Sequence, residues 1–217
     1  MQPPKPYKIK NQQLWISPGR TIYWETEKAL IASDLHFGKT GHFRKAGIAV
    51  PAAVFKEDLQ RLFNQVQYFQ PDKLIIVGDL FHSKQNKELE LFQKWRDDLG
   101  GISVTLIKGN HDILLDSWYK KASIEVVKES LTIGSFCFRH DLEKCESGTE
   151  EYLFSGHIHP GILINGLGKQ SLRFPCFYFT KEYCVLPAFS HFTGVALIDP
   201  QKGEEVFAIV NNTIVQM

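Results

Sequence analysis

Apolar and polar positions along this chain fall into two regimes that change over near Ile124. Before that point, short apolar runs alternate with stretches of helical spacing. Leu14-Trp15-Ile16, Thr21-Ile22-Tyr23-Trp24 and Ala29 to Ala32, punctuated by Ser17-Pro18-Gly19 and by Thr26 to Lys28, predict a strand meander. A helix is predicted from about Pro51 to Phe69. Pro51 sits near its first turn, Val54, Leu59, Leu62, Phe63, Val66 and Phe69 recur at helical spacing, and Pro71 stops it. Lys73 to Val77 reads as a buried strand, Lys87 to Leu99 as an amphipathic helix closed by Gly100-Gly101, and Ile102 to Ile107 as a further strand. Beyond Ile124 the runs are strand-like: Ile124 to Val127, Leu131 to Ile133, Phe136 to Arg139, Tyr152 to Ser155, Gly161 to Ile164, Ser171 to Phe177, Tyr183 to Leu186, Gly194 to Ile198 and Val206 to Val210. The βα alternation followed by strands predicts an α/β fold of two sheets packed face to face with helices outside.

At 217 residues the chain is long enough for one substantial core and short for two, so residues 1–217 are expected to form a single domain. It has no apolar stretch near the ~20 residues of a membrane span. Its start, Met-Gln-Pro-Pro-Lys-Pro, lacks the apolar core of a secretory signal, so a cytoplasmic protein is expected. Cys137, Cys145, Cys176 and Cys184 show neither zinc-knuckle nor disulfide-framework spacing and read as free thiols, two or three of them on strands. A net charge of +1 provides no global basic field, so any nucleic-acid contact must come from a local patch. No internal repeat and no low-complexity segment is present.

The chemistry gathers at the ends of the apolar runs. Ala29 to Ala32 runs into Asp34 and His36, whose side chains, two apart in an extended chain, would point the same way. Lys73 to Val77 runs into Gly78-Asp79 with His82, and Ile102 to Ile107 into Gly109-Asn110-His111-Asp112. His140 follows Phe136 to Arg139, and His157 and His159 follow Tyr152 to Ser155. Any one of these residues is more often a solvated or satisfied polar group than a ligand, but five strands ending in the same chemistry is poorly explained by chance. Carboxylate, imidazole and amide ligands without thiolates suit Mn²⁺, Fe, Zn²⁺ or Co²⁺ rather than a structural zinc site. The set is too large for one ion. Two ions sharing one carboxylate, about 3.5–4 Å apart, would use it and would clamp the oxygens of a phosphoryl transfer.

The order Asp34-x-His36, Gly78-Asp79-x-x-His82, Gly109-Asn110-His111-Asp112, His140 and Gly156-His157-x-His159 resembles the calcineurin-like metallophosphoesterase superfamily over roughly Ile31 to His159. That resemblance implies a four-layer α/β/β/α sandwich of two mixed sheets. It also implies that Asp34, His36 and His159 bind a first metal and Asn110, His140 and His157 a second, with Asp79 bridging. His111 would protonate the leaving oxygen and Asp112 would orient it. Asp34-Leu-His-Phe-Gly-Lys39, His42 to Pro51, Gly78 to Ser83 and Leu186-Pro-Ala-Phe189 with Phe192-Thr-Gly194 are more narrowly similar to the bacterial ligase-associated DNA damage response endonucleases of PdeM type. This similarity implies association with a DNA ligase and a helicase. Gly78 to His82 is also similar to the SbcD-type nucleases, for whose capping and coiled-coil parts the chain lacks length.

The residues read by themselves agree with this mechanism. Two cations acidify a water nucleophile, and with Asn110 they offset charge on the phosphoryl oxygens. His111, the imidazole of its motif without ligand duty, is left for general acid work. His82 either bonds a ligand or phosphate or stands behind the ligands. Lys39, Arg44 and Lys45 are either a grip on substrate phosphate or a solvated face. Arg139 points away if its strand stays extended, and His191 either rims the cleft or lies elsewhere in core or surface. The expected activity is hydrolysis of phosphodiesters by two divalent transition-metal ions, Mn²⁺ first among them, with DNA as the substrate the resemblance implies. A nucleotide phosphodiesterase or phosphatase is the alternative within hydrolases, and a DNA-repair accessory that mainly binds is the alternative outside them. The oligomeric state, monomer or homodimer, stays open.

Overall fold

The computed structural model describes residues 2–39, 53–82, 87–142, 151–166 and 170–217. Its first sheet lays seven strands side by side in chain order: β1 (Lys5–Ile9), β2 (Gln12–Ser17), β3 (Thr21–Trp24), β4 (Ala29–Ala32), β5 (Lys73–Val77), β6 (Ser103–Ile107) and β7 (Ile124–Val127). β1 to β4 are antiparallel and β4 to β7 parallel. Helices α1 (Ala53–Phe69), α2 (Lys87–Asp98) and α3 (Asp116–Lys121) fill the three parallel crossovers. The second sheet is also mixed. It holds β8 (Ser130–Ile133), β9 (Phe136–Arg139), β10 (Tyr152–Ser155), β11 (Pro160–Asn165), β12 (Ser171–Phe179), β13 (Tyr183–Val185) and β14 (Ala196–Leu197), ordered β14-β11-β12-β13-β10-β9-β8, and the hairpin β15 (Glu205–Val210)–β16 (Thr213–Gln216) attaches to β12.

The central strands are apolar on both faces because both faces are covered. From β4 and β5, Leu30, Ala32, Leu74 and Ile76 pack under the helices with Leu62, Val66, Phe92 and Tyr119. Ala29, Ile31, Ile75 and Val77 face the second sheet and meet Phe136, Phe138, Phe154, Phe177 and Phe179. The ring pair Trp24–Phe136, at 4.6 Å, joins the two sheets, and Phe136–Phe154, at 5.0 Å, packs rings within the second, each adding about 0.5–1.5 kcal/mol beyond area burial. The described helices all cover the first sheet. The two mixed sheets flanked by helices give the expected α/β metallophosphoesterase-like fold, and a small cluster of Cys176, Val206 and Ala208, with Ile162, Ile164, Tyr178, Ile198 and Val210 packed on it, lies apart from the two main cores.

Predicted and observed elements coincide along most of the chain. The helix expected from Pro51 is described from Ala53, and the strand expected from Gly194 to Ile198 contracts to two residues. Three elements were not predicted. β1 and β16 are each joined to their neighbour by a two-residue turn, Lys10-Asn11 or Asn211-Asn212, with both residues left-handed as a tight hairpin requires. The third is α3, only six residues long, without a side-chain cap at Leu115, and anchored by the buried Tyr119. Cys137, Cys176 and Cys184 are free and lie on strands. No helix among the described residues is long and apolar enough to cross a membrane.

Candidate functional site

The parallel strands β4, β5 and β6 end at one edge of the first sheet, and the residues just beyond them line it. Asp34 and His36 do meet there, but not by continuing an extended strand: φ is +53° and +50° at the two positions. Asp79, His157 and His159 are likewise left-handed, at +52°, +67° and +54°. Such conformations cost a non-glycine residue about 1–3 kcal/mol and persist only where surrounding structure enforces them. The enforcement is visible. The N–H of Asp34 donates to Gly78 O at 3.1 Å, that of His36 to Asp79 O at 2.8 Å, and that of Phe37 to Leu80 O at 2.9 Å, so the two loops are zipped together past the strands. Asp112 adds a second tie. Its carboxylate accepts the N–H groups of Asp79 (2.8 Å), Leu80 (2.9 Å), Phe81 (3.2 Å) and Gly109 (2.9 Å). Expected to orient His111, Asp112 binds the backbone of the loops after β5 and β6, while the His111 N–H donates to Asp79 Oδ1 at 2.9 Å.

Glycines allow the loops to close on the ligands. A Cβ on Gly78 would lie 2.0 Å from His140 Nδ1, on Gly109 2.2 Å from Asp79 Oδ1, and on Gly156 1.8 Å from Ser33 Oγ. Ser33, which the sequence did not single out, holds Asp34 from behind: its Oγ lies 2.6 Å from both Asp34 Oδ2 and Val77 O. The N–H of His157 donates to the same Oδ2 at 3.0 Å, which joins the second sheet to the first.

Two groups of candidate ligand atoms result. In the first, His36 Nε2 and His159 Nε2 are 3.2 Å apart and lie 3.9 and 3.3 Å from Asp34 Oδ1. In the second, His140 Nε2 is 3.5 Å from Asp79 Oδ2, 3.3 Å from His157 Nδ1 and 3.3 Å from Asn110 Oδ1. Ligands about 2.1 Å from one cation stand roughly 3.0–3.4 Å from their neighbours in octahedral or tetrahedral arrangements; both groups come close to that spacing, with His36 and Asp34 the widest pair at 3.9 Å. The oxygens of Asp34 make the same point. Oδ2 is hydrogen-bonded, whereas Oδ1, fully buried and facing the two imidazoles, accepts no hydrogen bond. His140 is oriented by Val77 O, 3.0 Å from its Nδ1. Asp79 belongs by contact to the second group, and its backbone O and its charge reach His36 of the first.

The electrostatics follow from burial against these neighbours. Burial alone would raise the carboxyls of Asp34 and Asp79, but His159, His140 and His36 hold Asp34 below its ordinary value, and His140 together with the His111 N–H holds Asp79 at about 2. Burial drives His36 down to about 3 despite Asp34. At His140 burial is outweighed by Asp79 and Asp34, and its pKa rises to about 9.

All seven expected metal-site residues, Asp34, His36, Asp79, Asn110, His140, His157 and His159, are thus brought together in the two groups. His111 stands outside both, its ring centre 5.7 Å from that of His36 and 4.2 Å from that of His82. His82 packs on His111, with its ring 5.6 Å from that of His36. Lys39 is half-buried within reach of the Asp34 and Asp79 charges; burial lowers its pKa against them. Arg44 and Lys45 lie outside the described residues, as do Ser83 and Cys145. His191 does not join the site. It is exposed and lines an open groove on α1 with Lys56, Gln60 and Arg61.

No sequence signal points to the network behind Asp34. Residues 188–190 follow β13 and dock on the β4 loop, with Phe189 N donating to Ser33 O at 2.8 Å and Ser190 N to Asp34 O at 3.2 Å. Two cations hold that segment in place. Arg20 Nη1 donates to the carbonyls of Ala188 (3.0 Å) and Ser190 (2.7 Å). Arg61 pairs with buried Asp58 at 2.9 Å, donates to Phe189 O and stacks 4.2 Å from the Phe189 ring centre.

Comparison with known proteins places this geometry. Residues 28–146 match the family model described as calcineurin-like phosphoesterase. No curated protein matches the chain. Among solved structures, the chain is similar to a Pseudomonas putida nuclease, MPE, at 27% identity and a TM-score of 0.84, covering 99% of this chain and 100% of that one. It is more distantly similar to a protein of unknown function, AQ665, from Aquifex aeolicus, at 20% identity and a TM-score of 0.44 over 65% of this chain and 82% of that one. It is also distantly similar to YfcE, a phosphoesterase from E. coli, at 13% identity and a TM-score of 0.47 over 87% and 97%. The family match spans the loops that carry Asp34, His36, Asp79, Asn110 and His140, more than half of the sequence, and the chain belongs to the calcineurin-like phosphoesterase family.

Proposed function

We propose that this protein is a phosphodiesterase that uses two divalent metal ions to cleave nucleic-acid strands, with a role in DNA repair. The observation that carries the reading is the pair of candidate ligand groups on zipped loops, with two imidazoles, His111 and His82, beside the first and members of neither, His111 being also bonded through its N–H to Asp79 of the second. Asp34, His36 and His159 would hold one ion. Asn110, His140 and His157 would hold the other, and Asp79 would bridge. Bound there, two divalent ions offset charge on the phosphoryl oxygens and acidify water at neutral pH. The protein's own groups do the rest. Asn110, exposed beside His140 of the second group, would donate its amide N–H to a phosphoryl oxygen while its Oδ1 would help to hold the second ion. His111, half-exposed, delivers a proton to the departing oxygen. Lys39 places a positive charge beside the substrate phosphate. The likeness to the Pseudomonas putida nuclease over the full length of both chains supports a nucleic-acid substrate, and Mn²⁺ is the metal to try first.

The test is a panel of single-stranded DNA, duplex DNA, cyclic nucleotides and an aryl phosphodiester, assayed with Mn²⁺-reconstituted protein and accompanied by elemental analysis. The expected result is two ions per chain and cleavage of at least one DNA form. One ion per chain in fully active protein refutes the two-metal reading, and turnover of cyclic nucleotides without DNA cleavage refutes the strand substrate.

A further inference from the structure

A cavity of about 350 Å³ is lined by Arg20, Arg173, Pro175, Ala188, Thr193, Gly194 and Val195. Among the described residues its lining contains two guanidinium groups and no carboxylate, in a chain whose 25 basic and 24 acidic residues otherwise nearly cancel.

Topology fixes where the cavity lies. β3 pairs with β4 so that Ile22 faces Ile31, which puts Arg20, at the turn before β3, level with the β4 loop that carries Asp34. That is one strand spacing away, about 4.8 Å. On the other side, β12 pairs with β11, the strand that begins right after His159, with Pro175 opposite Gly161 and Arg173 opposite Leu163. Phe177 and Phe179 of β12 point into the core between the sheets. By alternation, Pro175 and Arg173 face the same way, beyond the end of that core. The loop between the arginines is pinned at both ends to neighbours of the ligands: Ser33 bridges Ala188, and Ala196 N donates to His159 O at 2.9 Å.

Arg20 is a fixed cation. Its turn is held on α1 by Gln65, whose Oε1 accepts the hydroxyls of Ser17 (2.7 Å) and Thr21 (2.8 Å), and its bonds to the 188–190 segment all leave from Nη1. Burial beside Arg61 lowers its pKa only to about 10, so it stays charged. Arg173 is exposed and brings a second planar fork of the kind that binds phosphate oxygens in pairs.

We infer that this cavity is a subsite for a phosphate other than the one being cleaved, one or two positions along the same strand, so that the enzyme reads a phosphodiester chain rather than a mononucleotide. The inference rests on the phosphoesterase reading for its location and extends it to the class of substrate.

Binding of a labelled single-stranded oligonucleotide to the metal-free protein, followed by fluorescence anisotropy across a salt series, tests it without turnover. One phosphate contact contributes about 0.7 to the slope of log affinity against log salt for a single strand. Arg173→Ala is expected to weaken binding about tenfold at low salt and to flatten the slope by that amount, Arg173→Glu to weaken it further, and Arg173→Lys to keep the slope. With Mn²⁺, the preference of the wild-type protein for an oligonucleotide over a dinucleoside monophosphate, which has only the scissile phosphate, should shrink in Arg173→Ala through KM. A slope and preference in Arg173→Ala and Arg173→Glu equal to those of wild type overturn the subsite. Wild-type protein that binds the oligonucleotide with the expected Arg173 dependence but hydrolyses no phosphodiester overturns the phosphoesterase reading instead.

Discussion

Gly156→Ala should damage the first metal group from behind. The methyl would sit 1.8 Å from Ser33 Oγ and 2.5 Å from Asp34 Oδ2. To restore an ordinary contact of about 3.4 Å, Ser33 Oγ must retreat by about 1.6 Å and the carboxylate by about 0.9 Å. Neither has room, since Ser33 Oγ is wedged 2.6 Å from Val77 O and Asp34 is fully buried. Overpacking of this kind costs about 1–3 kcal/mol. Weakening the Ser33 and His157 bonds to a charged acceptor brings the total to about 2–4 kcal/mol, a large share of a typical ~5–15 kcal/mol stability. A misplacement near 1 Å at a reacting centre costs about 10²-fold in rate. Urea unfolding, metal content and turnover of an aryl phosphodiester should therefore show a lower midpoint, less than two ions per chain and about a hundredfold lower rate. Gly100→Ala is the control, because nothing lies within 4 Å of its Cβ position. Wild-type midpoint, metal and rate in Gly156→Ala would refute the argument that the glycine is there to let Asp34 approach.

Three further outcomes follow from the same geometry. His111→Ala keeps its N–H bond to Asp79, so it should retain both metals, lose about 10²–10⁴-fold on an alkyl or DNA diester, and lose far less on an aryl ester whose leaving group needs no proton; His157→Ala should lose metal and fall on both substrates alike. Asp79→Asn should abolish turnover and weaken both metals, as elemental analysis would register; retention of both ions would assign the bridge elsewhere. Burial pushes the Cys176 thiol up to about 12 and Cys184 well above its ordinary value, so both stay protonated as pH rises from 7 to 9. Peptide mapping after alkylation at pH 8 should find Cys137 modified ahead of them in native protein, and all three modified equally in urea.

The sequence by itself determined the strand ends and what stands on them. Apolar runs such as Ala29 to Ala32 and Lys73 to Val77 are readable because strands covered on both faces must be apolar at every position. The ligand types Asp, His and Asn are equally legible, being written one residue at a time. The strands β1 and β16 are less legible: Asn11 and Asn211-Asn212 carry a hairpin signal, but both strands lie at the edge of a sheet, largely unburied, and show no apolar run.

Tertiary structure alone decided how the ligands are aimed. Asp34, His36, Asp79, His157 and His159 take left-handed conformations that no local preference would select, and they are held there by bonds from other loops: Asp34 N to Gly78 O, His36 N to Asp79 O, and Asp112 to the backbone of the Asp79 loop. The same holds for Ser33, Arg20, Asp58 and Arg61. Each is an ordinary polar residue in sequence and acquires its role from partners far along the chain: Ser33 from Val77, Arg20 from residues 188–190, Arg61 from Phe189, and Asp58, besides its helix neighbour Arg61, from the N–H of His191. Periodicity and residue type are local properties and can be read in order, whereas strain and buried charge are tolerated only in a completed fold, so the positions that depend on them became visible only there.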